Sequence, residues 1–162
     1  MCASILRRYS FLAYSGGAPT IEARLAGFRE ALFANGRTLE NEAVHRLDAI
    51  TETTIRPLLS SKKQRNAFIC ANDRTAGHLM QVLQAIGYRV PQDVRIVGID
   101  DVEYASLLPI PLTTVHQPCR EIGEAAMAAM IDRIEQPNML VRDILVECRL
   151  VIRESCGSKL IA

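Results

Sequence analysis

The feature that most constrains this chain is its rhythm: short apolar runs of strand length recur, and most lead into segments with helical spacing. YSFLAY (Tyr9–Tyr14), AFICA (67–71) and VRIVGI (94–99) are near-continuous apolar runs bounded by polar or glycine-containing turns. Such runs suit strands buried on both faces, as in parallel sheets. Leu25, Phe28 and Leu32 mark a helix over 21–35, with Thr20 as its expected cap and Asn35-Gly36 as its stop. Ile55, Leu58 and Leu59 mark a second, from about 51 to 61. Pro57 sits awkwardly there, because an interior proline removes a hydrogen bond; the helix either starts late or kinks. Ala76, Leu79, Met80, Leu83 and Ile86 mark a third, opened by Asn72-Asp73 and ended by Gly87. Residues 42–47 and 112–116 are weaker strand segments, 60–66 a surface loop and 107–111 a proline-broken loop. Residues 118–135 form a helix rich in glycine and alanine, and 144–151 read as a closing strand. The order β-α-(β)-α-β-α-β-β-α-β predicts an α/β fold: a doubly wound, mainly parallel sheet with helices on both faces.

Charge and composition then exclude several classes. The 162 residues carry 19 basic and 18 acidic side chains, a net charge of +1, without the basic surplus of a phosphate-binding module. The small clusters Arg7-Arg8 and Lys62-Lys63 with Arg65 read as solvated surface. No apolar run approaches the roughly 20 residues of a membrane-spanning helix. No apolar core follows Arg7-Arg8, so a cytoplasmic protein without membrane contact is expected. Five scattered cysteines (Cys2, Cys70, Cys119, Cys148 and Cys156) without a C-x-x-C pair read as reduced thiols, with Cys70 and Cys148 as core hydrophobes. His45, His78 and His116 are isolated from one another, so neither a metal nor a cofactor is expected.

In open α/β sheets, ligands bind beyond the carboxyl ends of the strands. That rule selects Ser15-Gly16-Gly17, then Asn72-Asp73, then Asp100-Asp101. Asn72 offers donors and acceptors and the aspartates acceptors, while Arg24 on the first helix adds a forked donor. Such a rim suits a polyol or sugar. Taken one at a time, Asp73 reads as a helix cap and Asp100 as a strand end; together, at matching strand ends, they read as a binding rim. No G-x-S-x-G elbow, phosphate loop or G-x-G-x-x-G is present, so no catalytic residue is assigned and an enzyme is not expected. Adjacent residues on a strand point to opposite faces, so Asp100 and Asp101 need not share a site.

The stretch 67–101, AFICANDRTAGHLMQVLQAIGYRVPQDVRIVGIDD, resembles the core of LacI/GalR-family transcription regulators. The family's strand ending in N-D, its G-x-x-V-P-x-D and its V-V-G-F/Y-D-D are all matched, although Ile99 replaces the usual aromatic. PIPLTTVHQP (109–118) is similar to the family's crossover, RLAGF (24–28) to its helix start and VIRES (151–155) to its closing motif. The resemblance implies a periplasmic-binding-protein-like type I fold with two lobes around a ligand cleft. Residues 1–162 would form one effector-binding domain, with 7–112 and 140–155 as the distal lobe. Residues 113–139 would be the crossover and a helix of the proximal lobe, whose apolar side, including Met127, Met130 and Ile131, would be exposed or covered by a partner. Carried over by motif, Arg24, Asn72, Asp100 and Gln117 would hold a small effector, a sugar or nucleoside, while Asp73 and Asp101 look structural. The implied function is the effector-sensing module of a homodimeric repressor, touching DNA only through a headpiece absent from these residues. The alternatives are a transport-type sugar-binding protein and an inactive truncated fragment.

Overall fold

The structure, a computed structural model, describes residues 9–60 and 65–158. Its strands are β1 (Tyr9–Tyr14), β2 (Val44–Leu47), β3 (Ala67–Cys70), β4 (Arg95–Asp100), β5 (Thr113–His116) and β6 (Arg149–Val151). Its helices are α1 (Pro19–Ala34), α2 (Glu52–Ser60), α3 (Asp73–Ala85) and α4 (Cys119–Glu135). One sheet holds all six strands in the order β2-β1-β3-β4-β5-β6. Every neighbouring pair is parallel except β5 with β6. The doubly wound, mainly parallel architecture is therefore as expected.

Strand pleating sorts the apolar residues between two layers. Phe11 pairs with Ile69 and Leu12 with Cys70. Leu12, Phe68, Cys70 and Ile96 pack with Ile55 and Leu59 of α2 and with Leu79, Met80 and Leu83 of α3. Phe11, Ala13 and Ile69 face the other way, toward Leu25 and Phe28 of α1. The Phe11 and Phe28 rings stack with centroids 6.3 Å apart. The chain leaves β1 toward β2 on one side and returns to β3 on the other. The strand order thus reverses at β1/β3, the topological position beyond whose carboxyl ends open α/β sheets commonly bind ligands.

Several local expectations need correction. Helix α1 begins at Pro19, not after a Thr20 cap; Ala18 precedes it without a side-chain cap. Proline suits a first helical position, where the missing N–H would have had no partner. Helix α2 does not start late but runs through Pro57, which stands three residues from its end. The closing strand is only Arg149–Val151, and Cys148, expected in the core, is exposed. The cause is its neighbour: β5 ends at His116, which pairs with Arg149, so residues 144–148 have no strand to bond. Arg65 is not solvated but 7% exposed, near Ser10 and Glu40. Burial, aided by the Arg65 charge, lowers the pKa of His45 to about 4 and keeps that ring neutral. Arg7, Arg8, Lys62, Lys63 and Cys2 lie outside the described residues, as does part of the 60–66 loop.

Helix α4 buries none of its residues. Met127, Met130 and Ile131 are 54%, 51% and 48% exposed, and Ile134 is 70% exposed. An apolar stripe this open exceeds ordinary surface scatter and is of the kind that self-association would cover. The chain on its own is expected to bind a hydrophobic dye and to self-associate in sedimentation velocity. A monomer that leaves the dye dark would contradict this.

Candidate functional site

Four elements bring the site together at the carboxyl edge of the sheet. Arg24 stands on α1 one turn from its start, on the helix that crosses over the β1 face. Its Nη2 donates to Asp100 Oδ1 at 2.9 Å, and its Nη1 donates to the Ala71 carbonyl at 2.6 Å. Gln117, just past β5, donates through Nε2 to the same Asp100 Oδ1 at 2.5 Å. Its backbone N–H reaches the Asp100 carbonyl at 3.4 Å. Three of the four residues expected from the sequence therefore meet on one carboxylate oxygen. Among the described residues, the second oxygen of Asp100 accepts no hydrogen bond.

Asn72 plays a different part. Its Oδ1 caps α3, accepting from the Thr75 N–H at 2.8 Å and the Thr75 hydroxyl at 2.7 Å. The capping role weighed for Asp73 thus falls to Asn72, because a capping side chain must precede the first helical turn. The amide nitrogen is the group that Asn72 can still offer a ligand. It sits next to Ala71, whose carbonyl Arg24 holds.

Asp100 and Asp101 form an elbow with φ of 129° and 57°. Side chains rarely adopt such conformations, which cost about 1–3 kcal/mol each and persist where the surroundings over-determine them. Both sides of this elbow are tied. The Asp101 N–H donates to Thr114 Oγ1 at 3.3 Å, and the Val102 N–H donates to Asp73 Oδ2 at 3.0 Å. The positive φ values, not strand pleating, set the two carboxylates' directions. Asp100 meets Arg24 and Gln117, whereas Asp101 takes Arg153 Nη2 at 2.7 Å and His116 Nδ1 at 2.9 Å.

The two neighbours also differ electrostatically. Burial pushes the Asp100 carboxyl up, the Arg24 charge pulls it down, and Asp73 pushes it up again, leaving it above the usual carboxylate range. Burial also raises Asp101, but the bonds and charges of Arg153 and His116 outweigh it and hold that carboxyl low. Beside them lies a cleft of about 620 Å³, lined by Asp100, Asp101, His116, Gln117 and the first turn of α4.

The sequence reading missed the cluster of Asp101, His116 and Arg153. Its members are 15 and 52 residues apart, so no local spacing signals it. Arg153 was visible only as part of the closing VIRES motif, with no role attached. Among the described residues no group of three or more His, Cys, Asp or Glu could hold a metal, and no helix is long and apolar enough to cross a membrane.

Residues 6–156 match the family model described as "Periplasmic binding protein-like domain". The chain belongs to this family. The periplasmic-binding-protein-like domain is 39% identical over 104 residues to the ribose operon repressor of Haemophilus influenzae, covering 64% of this chain and 31% of that protein. It is similar to the solved transcriptional regulator CelR–cellobiose complex, with 32% identity and a TM-score of 0.80 over 92% of this chain and 46% of that one. A LacI-type transcription regulator from Bifidobacterium animalis superposes with a TM-score of 0.78 at 26% identity, over 92% and 58% of the two chains. The domain therefore corresponds to the effector-binding region of LacI-type regulators, and it spans about a third of the length of that ribose repressor.

Proposed function

We propose that this domain senses a small polar effector, a sugar or a nucleoside, for a LacI-type transcriptional repressor. The observation that carries the reading is the convergence of Arg24 and Gln117 on one oxygen of Asp100. A neutral ligand with adjacent hydroxyls needs acceptors and donors side by side. Asp100 accepts from a hydroxyl, while the guanidinium of Arg24 and the amides of Gln117 and Asn72 donate to ring and hydroxyl oxygens. The net charge of the Arg24–Asp100 pair is zero, which favours a neutral ligand over a phosphorylated one. Kinship supports the sugar class, since one relative is a ribose repressor and one solved neighbour is a cellobiose complex.

In this reading the domain acts by binding and not by turnover. Ligand draws a second lobe onto the cleft and shifts the population between operator-competent and incompetent forms. The whole regulator works in the cytoplasm as a homodimer and meets DNA through a separate headpiece, as the LacI-type kinship suggests. Ribose and cellobiose are the first ligands to try, by thermal unfolding of the full-length regulator. At a hundredfold excess over Kd, a true effector raises Tm by roughly 5–10 °C. Asp100→Ala is expected to abolish that rise. A variant that responds like the wild type would remove Asp100 from the site.

A further inference from the structure

We infer that Asp73 is a positioning residue for effector recognition, acting through Thr114 to hold the Asp100–Asp101 elbow in its ligand-ready shape. The inference rests on the site reading above and extends it from the groups that touch ligand to those that aim them. Asp73 is fully buried, yet no cation is bonded to it among the described residues. Its carboxylate instead spans the elbow. One oxygen accepts from the Val102 N–H at 3.0 Å, directly after the elbow. The other accepts from the Thr114 hydroxyl at 2.6 Å, and that hydroxyl's oxygen accepts in turn from the Asp101 N–H at 3.3 Å.

Thr114 is equally buried and stands on β5 beside Gly98 of β4. Gly98 leaves open the space this carboxylate fills: a Cβ there would lie 2.2 Å from Asp73 Oδ1. The side-chain-free strand position, the buried acid and the buried hydroxyl are thus fitted to one another. A carboxylate is the acid-level match here, because it alone offers two acceptors to two donors on opposite sides. Helix capping does not explain it, since Asn72 already caps α3. Both elbow residues have positive φ, so without these ties the backbone relaxes and the Asp100 carboxylate swings off Arg24 and Gln117.

The experiment pairs Thr114→Val, which keeps shape and removes the hydroxyl, with Thr114→Ser, which keeps the hydroxyl. Ligand-free crystal structures and ribose titrations are compared for both in the full-length regulator, with Asp73→Asn as a third variant. The serine variant is expected to keep the Arg24–Asp100 contact and bind ribose within about twofold of wild type. The valine and asparagine variants are expected to stay folded, to lose the positive φ at Asp100 and its contact with Arg24, and to bind ribose at least tenfold more weakly. Recovery of both the Arg24–Asp100 contact and ribose affinity with serine, but not with the isosteric valine, is the readout that a merely structural role would not reproduce. An unchanged elbow and ion pair in Thr114→Val overturns the inference, with or without ligand. A wild type that ignores ribose while the valine variant still releases the elbow counts against the ribose reading alone.

Discussion

Replacing Gly98 with alanine is expected to cost about 3 kcal/mol of stability, since an added Cβ meets a closer neighbour there than at any other described glycine. The new Cβ would stand 2.2 Å from Asp73 Oδ1 and 3.0 Å from Leu112 Cδ2. Neither neighbour has room to retreat, since Asp73 and Leu112 are both fully buried. Moving the carboxylate breaks its bonds from the half-buried Val102 N–H and the buried Thr114 hydroxyl, which leaves both donors without this acceptor. Overpacking alone costs roughly 1–3 kcal/mol, and stranded polar groups add to it. Urea unfolding monitored by circular dichroism reads the result directly. A midpoint equal to wild type would mean that the Asp73 pocket yields without cost.

Asp101→Ala is expected to cost about 2 kcal/mol at neutral pH, for an electrostatic reason instead of a steric one. The Asp101 and Arg153 side chains are only 12% and 20% exposed, and their contact is 2.7 Å long. Removing the acid leaves Arg153 facing no carboxylate and takes the partner from His116. Burial works against the Asp101 charge, but Arg153 and His116 together hold its pKa below the ordinary 3.8. A carboxyl depressed on folding adds stability above its unfolded pKa, and that stability vanishes as pH falls through the folded value. Wild type and variant should therefore differ most near pH 7 and converge as pH falls through the folded Asp101 pKa, which lies below 3.8. Unfolding free energies that stay parallel from pH 7 until both proteins are fully protonated in acid would show that the Asp101 charge contributes nothing. The adjacent Asp100 has the opposite sign, because burial holds its carboxyl high. Ionisation of Asp100 therefore works against folding near neutral pH, whereas ionisation of Asp101 works for it.

Much of the fold was legible because its signals are local. The YSFLAY and AFICA runs could hide only between two helical layers, and the spacing of Ala76, Leu79, Met80 and Leu83 leaves one face for α3 to bury. Where the reading failed, the deciding partner was distant. Residues 144–148 have strand-like composition, but β5 is too short to pair with them. Cys148 is exposed for that reason and no other visible in its own neighbourhood. Arg65 looked like solvent-facing charge because its partners, Ser10 and Glu40, are far away in the chain.

The same division runs through the site. The sequence by itself determined that polar residues follow the buried strands at one edge of the sheet, since helical crossovers place those strand ends together. Residue type also gave the donor and acceptor capacity of Arg24, Asn72 and Asp100, and the family resemblance added Gln117. Only the tertiary structure decided their roles. It assigned Asn72 to the cap, gathered Arg24 and Gln117 onto one oxygen of Asp100, and set Asp73 behind the elbow against the vacancy at Gly98. Residue type and period record which groups can hydrogen-bond and which face they share. Which of them meet depends on contacts spanning 15 to 76 residues of chain, and on backbone angles that only a packed interior imposes.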